Sequence, residues 1–150
     1  MRIACLGGGP AGLYFAISMK LRDASHHITV IERNRADDTF GWGVVLSDET
    51  LANLKNNDPV SAEAIQKFFA YWDDIALVHR GERLVSSGHG FCGIGRRKLL
   101  ELLQERAVAL GVKLEFETEI DDIEALCDQH DLVVAADGVN SRVRAHFEAV

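Results

Sequence analysis

Cysteine is scarce: Cys5, Cys92 and Cys127 are an odd number, lie far apart and form no C-x-x-C pair. A disulfide framework, a dithiol redox site and a cysteine zinc site are therefore not expected, and a reducing cytoplasm is the simplest setting. Basic charge is also short, because 16 Lys and Arg against 23 Asp and Glu leave a net charge of −7. A duplex binder needs a cationic footprint to displace counterions, so no nucleic-acid partner is expected. The same shortage argues against a polybasic membrane surface. No apolar run approaches the roughly 18 residues of a spanning helix. The first run, Ile3 to Leu6, is broken by Gly7-Gly8-Gly9-Pro10 too early for a signal peptide.

Other signatures are missing as well. His26, His27, His79, His89, His130 and His146 keep no metal-ligand spacing with one another or with cysteine, so no metal site is expected. No Ser, Cys or Thr stands in a nucleophile motif, and no catalytic residue is nominated. Asp73-Asp74 and Asp121-Asp122 read as turn or cap residues rather than a catalytic carboxylate pair. There is no internal repeat, low-complexity tract or linker.

What is present is an alternation of short apolar runs and helical periodicities. Residues 3–6 are continuously apolar, as in a strand covered on both faces. From Pro10, Leu13, Ala16, Ile17 and Leu21 recur at helical spacing, and Ile28-Thr29-Val30-Ile31 form a second β-branched run. The first thirty-odd residues thus read as a βαβ unit. A polar stretch follows to Gly43, too long for a tight turn. Ser47-Asp48-Glu49-Thr50 opens a helix that Asn56-Asn57-Asp58-Pro59 ends, and a second helix continues through Ile65, Phe68 and Phe69. Residues 75–79 and 84–87 flank Arg80-Gly81-Glu82 as a β-hairpin. Leu99, Leu100, Leu102, Leu103, Ala107 and Leu110 mark a helix closed by Gly111, with strands expected at 112–116 and 131–136.

Gly7-x-Gly9-x-x-Gly12 follows the first strand and opens the first helix, the context in which this spacing carries meaning. Gly7 permits the tight turn, Gly9 lets a pyrophosphate approach the backbone, and Gly12 lets helix and strand pack closely. The helix N-terminus, with Pro10 and Ala11, adds N–H groups and partial positive charge. Glu32 stands twenty residues after Gly12, where a carboxylate accepts from a ribose diol and repels a 2′-phosphate. A dinucleotide site follows, with FAD and NAD equally compatible on these residues.

Three segments carry a family resemblance: Gly7-Gly8-Gly9-Pro10-Ala11-Gly12 with Glu32-Arg33, Gly95-Arg96-Arg97-Lys98-Leu99, and the run from Asp131 to Arg142 containing Asp137-Gly138. In order and spacing the chain resembles the FAD-dependent aromatic hydroxylases, the single-component flavoprotein monooxygenases. Gly41-Trp42-Gly43-Val44-Val45-Leu46 is most similar to members acting on aromatic acyl-CoA thioesters. The resemblance implies an α/β fold: a Rossmann-like FAD-binding βαβ fold with a parallel sheet, plus a small β-hairpin portion of a substrate domain beginning at about residues 75–90. It implies FAD bound by Gly7, Gly9, Pro10, Ala11, Gly12, Glu32, Arg33, Val44, Val45, Arg96 and Asp137, with residues 41–46 a loop along the isoalloxazine ring. Arg97 replaces Arg96 if the register shifts by one. By the same resemblance NAD(P)H is the co-substrate, O2 the oxidant, and a small aromatic molecule, as a CoA thioester in the acyl-CoA members, the substrate. The reaction then runs through a flavin C4a-hydroperoxide.

The family's later Gly-Asp motif is absent, so residues 1–150 are expected to be the N-terminal portion of an incomplete, longer hydroxylase. The sequence closes at Ala149-Val150 without a capping Gly or Pro. An NAD-linked Rossmann dehydrogenase domain, or a dinucleotide-binding fragment without turnover, are the alternatives.

Overall fold

The computed structural model describes residues 1–148; the uncapped end at Ala149 and Val150 lies outside the described residues. In chain order the elements are β1 (Arg2–Leu6), α1 (Pro10–Arg22), β2 (His27–Ile31), β3 (Gly43–Leu46), α2 (Asp48–Asn57), α3 (Pro59–Gln66), β4 (Ala70–Trp72) and β5 (Ile75–His79). There follow β6 (Glu82–Ser86), β7 (Phe91–Gly95), α4 (Arg96–Ala109), β8 (Lys113–Glu115), α5 (Ile123–Gln129), β9 (Leu132–Ala135) and α6 (Arg142–Phe147). They divide into two units, Met1–Thr39 with Leu100–Val150, and Phe40–Leu99.

The first unit is built on a four-stranded sheet of order β8-β2-β1-β9. All its pairings are parallel, Leu6 lying opposite both Ile31 and Ala135. Ile3, Ala4 and Cys5 are fully buried in succession, as a strand covered on both faces must be. On one face Ala4, Leu6 and Ile31 pack with Ile123, Leu126 and Val143. The α1 residues Leu13, Ala16 and Ile17 are also fully buried. Each buried Leu or Ile contributes roughly 1.5–3 kcal/mol. Gly111, at φ +80, closes α4 by donating its N–H to the Val108 carbonyl at 2.9 Å, the expected helix end. Because β2, β1 and β9 are adjacent and parallel, the chain leaves all three at the same edge of the sheet. There Gly7, Glu32 and Ala136-Asp137 emerge, outside the carboxyl ends of the strands where open α/β sheets bind ligands.

The second unit carries an antiparallel sheet of order β3-β7-β4 and a separate β5-β6 hairpin. The hairpin turns at Arg80 and Gly81, both at positive φ, which suits a two-residue turn matched to strand twist. The expected loop at 41–46 is a strand from Gly43 onward: Val44 pairs with Ile94 and Leu46 with Cys92. β-branched residues with a partner strand outweigh the loop signal of Gly41 and Gly43. β4, β7, α5 and α6 have no counterpart among the elements expected from the sequence. The helix expected through Phe69 ends at Gln66, and Phe68 instead lies beneath the Lys98 ammonium, 4.6 Å from its ring centre.

Candidate functional site

In the first unit the glycines meet distinct constraints. Gly7 has φ +109, and a side chain there would run into the Ala136 carbonyl on the neighbouring strand. A side chain at Gly12 would strike the Gly7 carbonyl oxygen. The Gly7 N–H is bonded to the Ile31 carbonyl at 2.8 Å, and the Ala136 N–H to the Leu6 carbonyl at 2.8 Å, so none of these groups can give way easily. Gly9 is different: nothing lies within 4 Å of the position its Cβ would take. It is the N-cap of α1, with extended backbone and no side-chain cap, ahead of Pro10. No acidic residue occupies the first turn, so no carboxylate of α1 itself opposes an anion at the positive end of the helix and its unpaired N–H groups.

Glu32 holds this loop. Its Oε2 accepts from the Gly8 N–H at 2.7 Å, and its Oε1 accepts from the Asn34 backbone N–H at 2.8 Å and from the Asn34 side-chain amide at 2.7 Å. A carboxylate has about four acceptor positions, so one on Oε2 remains for an incoming hydroxyl. Gly8 and Asn34, neither nominated from sequence, therefore belong to the arrangement. Their only signals in the sequence are their places, Gly8 inside the glycine run and Asn34 beside the acid; in the fold a Cβ on Gly8 would sit 2.9 Å from that of Glu32. Arg33 points into solvent.

Asp137 follows β9. Its Oδ2 accepts from the Arg142 N–H at 2.8 Å and the Val143 N–H at 3.5 Å, drawing in the start of α6. Partial burial opposes its charge, but the Ser141 hydroxyl and backbone N–H groups outweigh that, and the carboxyl titrates below its ordinary value. The Arg142 guanidinium is engaged by Glu119 at 2.6 Å. Asp137 and Gly138 line an open concavity with Ala135, Ser141, Val143 and Arg144.

In the second unit the Arg96 N–H donates to the Trp42 carbonyl at 3.1 Å. Val44 and Val45 are successive strand residues and face opposite sides of the sheet, so only one of them can turn its side chain to any one ring. Val44 is partly buried and Val45 exposed. Trp42 is 98% exposed. Among the described residues, three buried side-chain polar atoms lack a hydrogen-bond partner: Thr39 Oγ1, Arg96 Nε and Asp137 Oδ1. Two of the three sit on nominated residues, and such orphans are uncommon enough to require a reason.

The remaining nominations resolve simply. Asp122 caps α5 by accepting from the Ala125 N–H at 2.9 Å, and Asp73 accepts from the N–H groups of Gly88 and Gly90 at 3.1 and 3.0 Å. Among the described residues no cluster of three metal-ligating side chains occurs, and no helix is long and apolar enough to cross a membrane.

A family model described as FAD binding domain matches residues 1–149. The chain is 48% identical over 147 residues to salicyloyl-CoA 5-hydroxylase of a Streptomyces species, covering 98% of this chain and 28% of that protein. It is 35% identical over 151 residues to protodeoxyviolaceinate monooxygenase of Chromobacterium violaceum, covering 98% and 40% respectively. Among solved structures, a tetrameric form of 2-methyl-3-hydroxypyridine-5-carboxylic acid oxygenase superposes with a TM-score of 0.78 at 23% identity, over 96% of this chain and 41% of that one, a likeness of fold. The chain thus spans well under half the length of these relatives.

Proposed function

We propose, because this chain belongs to the FAD binding domain family, that it is the flavin-holding part of an aromatic hydroxylase acting on an aryl acyl-CoA with NAD(P)H and O2. The observation that carries this reading is the glycine loop: closed by sterics at Gly7 and Gly12, open at Gly9, and aimed by an acid-free helix start. Pyrophosphate needs such an approach.

The residues fit FAD. In the first unit, Gly9, Ala11 and Gly12 would offer backbone N–H groups to the pyrophosphate, with Pro10 setting the helix start. Glu32 would use its remaining Oε2 position for a ribose hydroxyl, and Asp137 its orphaned Oδ1 for a hydroxyl of the sugar-alcohol chain. In the second unit, the unsatisfied Nε of Arg96 would donate to an oxygen of the cofactor, and one face of β3 would present Val44 or Val45 to the flat ring. Bound FAD supplies the electron transfer and oxygen activation that insert one oxygen atom into an aromatic ring. The protein's own share is to bind, orient and exclude water, which accords with the lack of a nucleophile motif. A cytoplasmic setting suits three free thiols, Cys5, Cys92 and Cys127. The 48% identity to a salicyloyl-CoA hydroxylase supports the aryl-CoA substrate class.

Purification with a flavin spectrum, or its appearance on adding FAD, is the expected result, followed by NAD(P)H oxidation that an aromatic acyl-CoA accelerates. A colourless protein that gains no flavin spectrum yet binds NADH tightly would make this a nicotinamide-linked dehydrogenase domain instead.

A further inference from the structure

α6 has only six residues, Arg142–Phe147. A helix of that length has no stability of its own in water, so contacts outside it must hold it. The Ser141 hydroxyl caps it by accepting from the Arg144 N–H at 3.0 Å, and Val143 is buried with Ala4, Leu6 and Ile31. Its first N–H, that of Arg142, donates to Asp137 Oδ2 at 2.8 Å, and the Val143 N–H reaches the same oxygen at 3.5 Å. The direction of the Asp137 carboxylate, and with it the place of the unbonded Oδ1, is thus set by where α6 begins.

Arginine is a poor choice for that first position. Any residue but proline could donate the N–H, and a cation is disfavoured at the positive end of a helix. What explains the guanidinium is what it reaches: Nη1 donates to Glu119 Oε1 at 2.6 Å, and Nη2 lies 3.5 Å from Asp121 Oδ1. Both acids stand on the segment after β8, which is fixed independently at its start. There the Glu117 N–H donates to the Asn34 carbonyl at 3.1 Å and the Thr118 N–H to the Glu32 carbonyl at 3.0 Å. The Thr118 hydroxyl donates to the Phe116 carbonyl at 3.0 Å, and Glu117 is held at φ +53, uncommon for a residue other than glycine. Ile120, between the two acids, packs against the same core as Val143. A continuous support therefore runs from the end of β2 at Glu32, through residues 117–119 and Arg142, to Asp137.

We propose that Glu119 is a positioning residue which, through Arg142, holds the Asp137 carboxylate so that Oδ1 meets a hydroxyl of the cofactor's sugar-alcohol chain. The inference rests on the flavoprotein reading above. Glu119 is 58% and Arg142 46% exposed, so water screens the pair and its effect on binding is modest.

Titration of FAD and of ADP into the flavin-free whole protein tests this. ADP carries the same adenosine and pyrophosphate and lacks the sugar-alcohol chain. A slack loop, or a freed guanidinium attracting phosphate, therefore changes both affinities alike and leaves their ratio unmoved. In Glu119→Ala the ratio of FAD to ADP affinity should fall about two- to fivefold, the range of an exposed ion pair, with an unchanged circular dichroism spectrum. Glu119→Gln, which keeps an acceptor for the guanidinium, should recover part of the ratio. Added to Arg142→Ala or to Asp137→Asn, Glu119→Ala should change the ratio no further. An unchanged ratio in Glu119→Ala, with FAD still bound, would overturn the positioning role and leave the flavoprotein reading standing. A further fall in either background would show that Glu119 acts by another route, and would overturn it equally. If the natural sequence binds no flavin, both inferences fall.

Discussion

Replacing Glu32 separates two duties that one carboxylate performs. In the free protein it accepts three hydrogen bonds, from the Gly8 N–H, the Asn34 N–H and the Asn34 amide. Glu32→Ala leaves the buried Gly8 N–H without an acceptor, while the Asn34 groups can turn to water. One unsatisfied buried donor costs roughly 1–3 kcal/mol. For a chain of this size that lowers Tm by about 2–4 °C per kcal/mol, or about 2–12 °C in all. With FAD present, a charge-assisted bond to a ribose hydroxyl adds about 1.5–3 kcal/mol, a loss of about ten- to a hundredfold in affinity. Thermal melts without ligand read the first duty and FAD titration the second. Because a slack loop would also weaken binding, the decisive comparison uses FAD lacking one adenosine ribose hydroxyl. The natural sequence should bind that analogue more weakly than FAD, and Glu32→Ala should bind the two alike. Equal discrimination by both proteins would refute the ribose contact, and an unchanged Tm would refute the loop-holding role.

Other outcomes follow from the same geometry. Gly9→Ala meets open space, so the melting curve should hardly move while FAD affinity drops; Gly12→Ala drives a methyl into the Gly7 carbonyl and should impair folding as well as binding, as circular dichroism would register. Asp131 and Asp137 both titrate below the ordinary carboxylate value in the folded chain, the first chiefly through the Arg2 N–H. A depressed folded value means that the stability they add is complete above the unfolded pKa of about 3.9 and is lost as pH falls through the lower folded value. Urea midpoints for Asp137→Asn should therefore lie below those of the natural sequence at pH 7 and converge with them in acid. Burial pushes the Cys5 thiol up to about 12, so a thiol reagent at pH 8 should label Cys127 in the folded protein and reach Cys5 only after denaturation. Rapid labelling of Cys5 without unfolding would contradict its place in β1.

The elements that could be read from residues alone are those whose local signal agrees with their packing. β1, β2 and β9 are apolar runs buried in a parallel sheet, and α1 and α4 carry long periodicities with a Pro at one start and a Gly at the other end. β7 hid because its sequence, Phe91-Cys92-Gly93-Ile94-Gly95, buries only Cys92 and Ile94 and gives the other face to two glycines, which lower strand propensity. β3 hid behind Gly41 and Gly43, whose need arises from partners far along the chain. The same division holds in the site. Gly7, Gly9 and Gly12 were legible because a fixed spacing expresses fixed sterics. The Gly8–Glu32–Asn34 network was not, since hydrogen bonds between strand ends have no spacing rule.

The orphaned atoms connect these observations to chemistry. A fold that bonds the Gly8 N–H, the Arg142 N–H and the Asn34 amide is not short of means to satisfy polar groups, yet Arg96 Nε and Asp137 Oδ1 stay unpaired. Leaving a buried donor and a buried acceptor unmet costs on the order of 1–3 kcal/mol apiece. Each cost is recovered separately, at Arg96 Nε in the second unit by a ligand acceptor and at Asp137 Oδ1 in the first unit by a ligand donor. For Asp137, a cofactor with hydroxyl groups can donate to Oδ1, whereas pyrophosphate at pH 8 carries several negative charges that the Asp137 carboxylate repels. FAD should therefore raise Tm well beyond what equimolar pyrophosphate achieves, and Asp137→Asn should cut the FAD increment while sparing the pyrophosphate one; equal losses for both ligands would place Asp137 in the scaffold rather than at the cofactor.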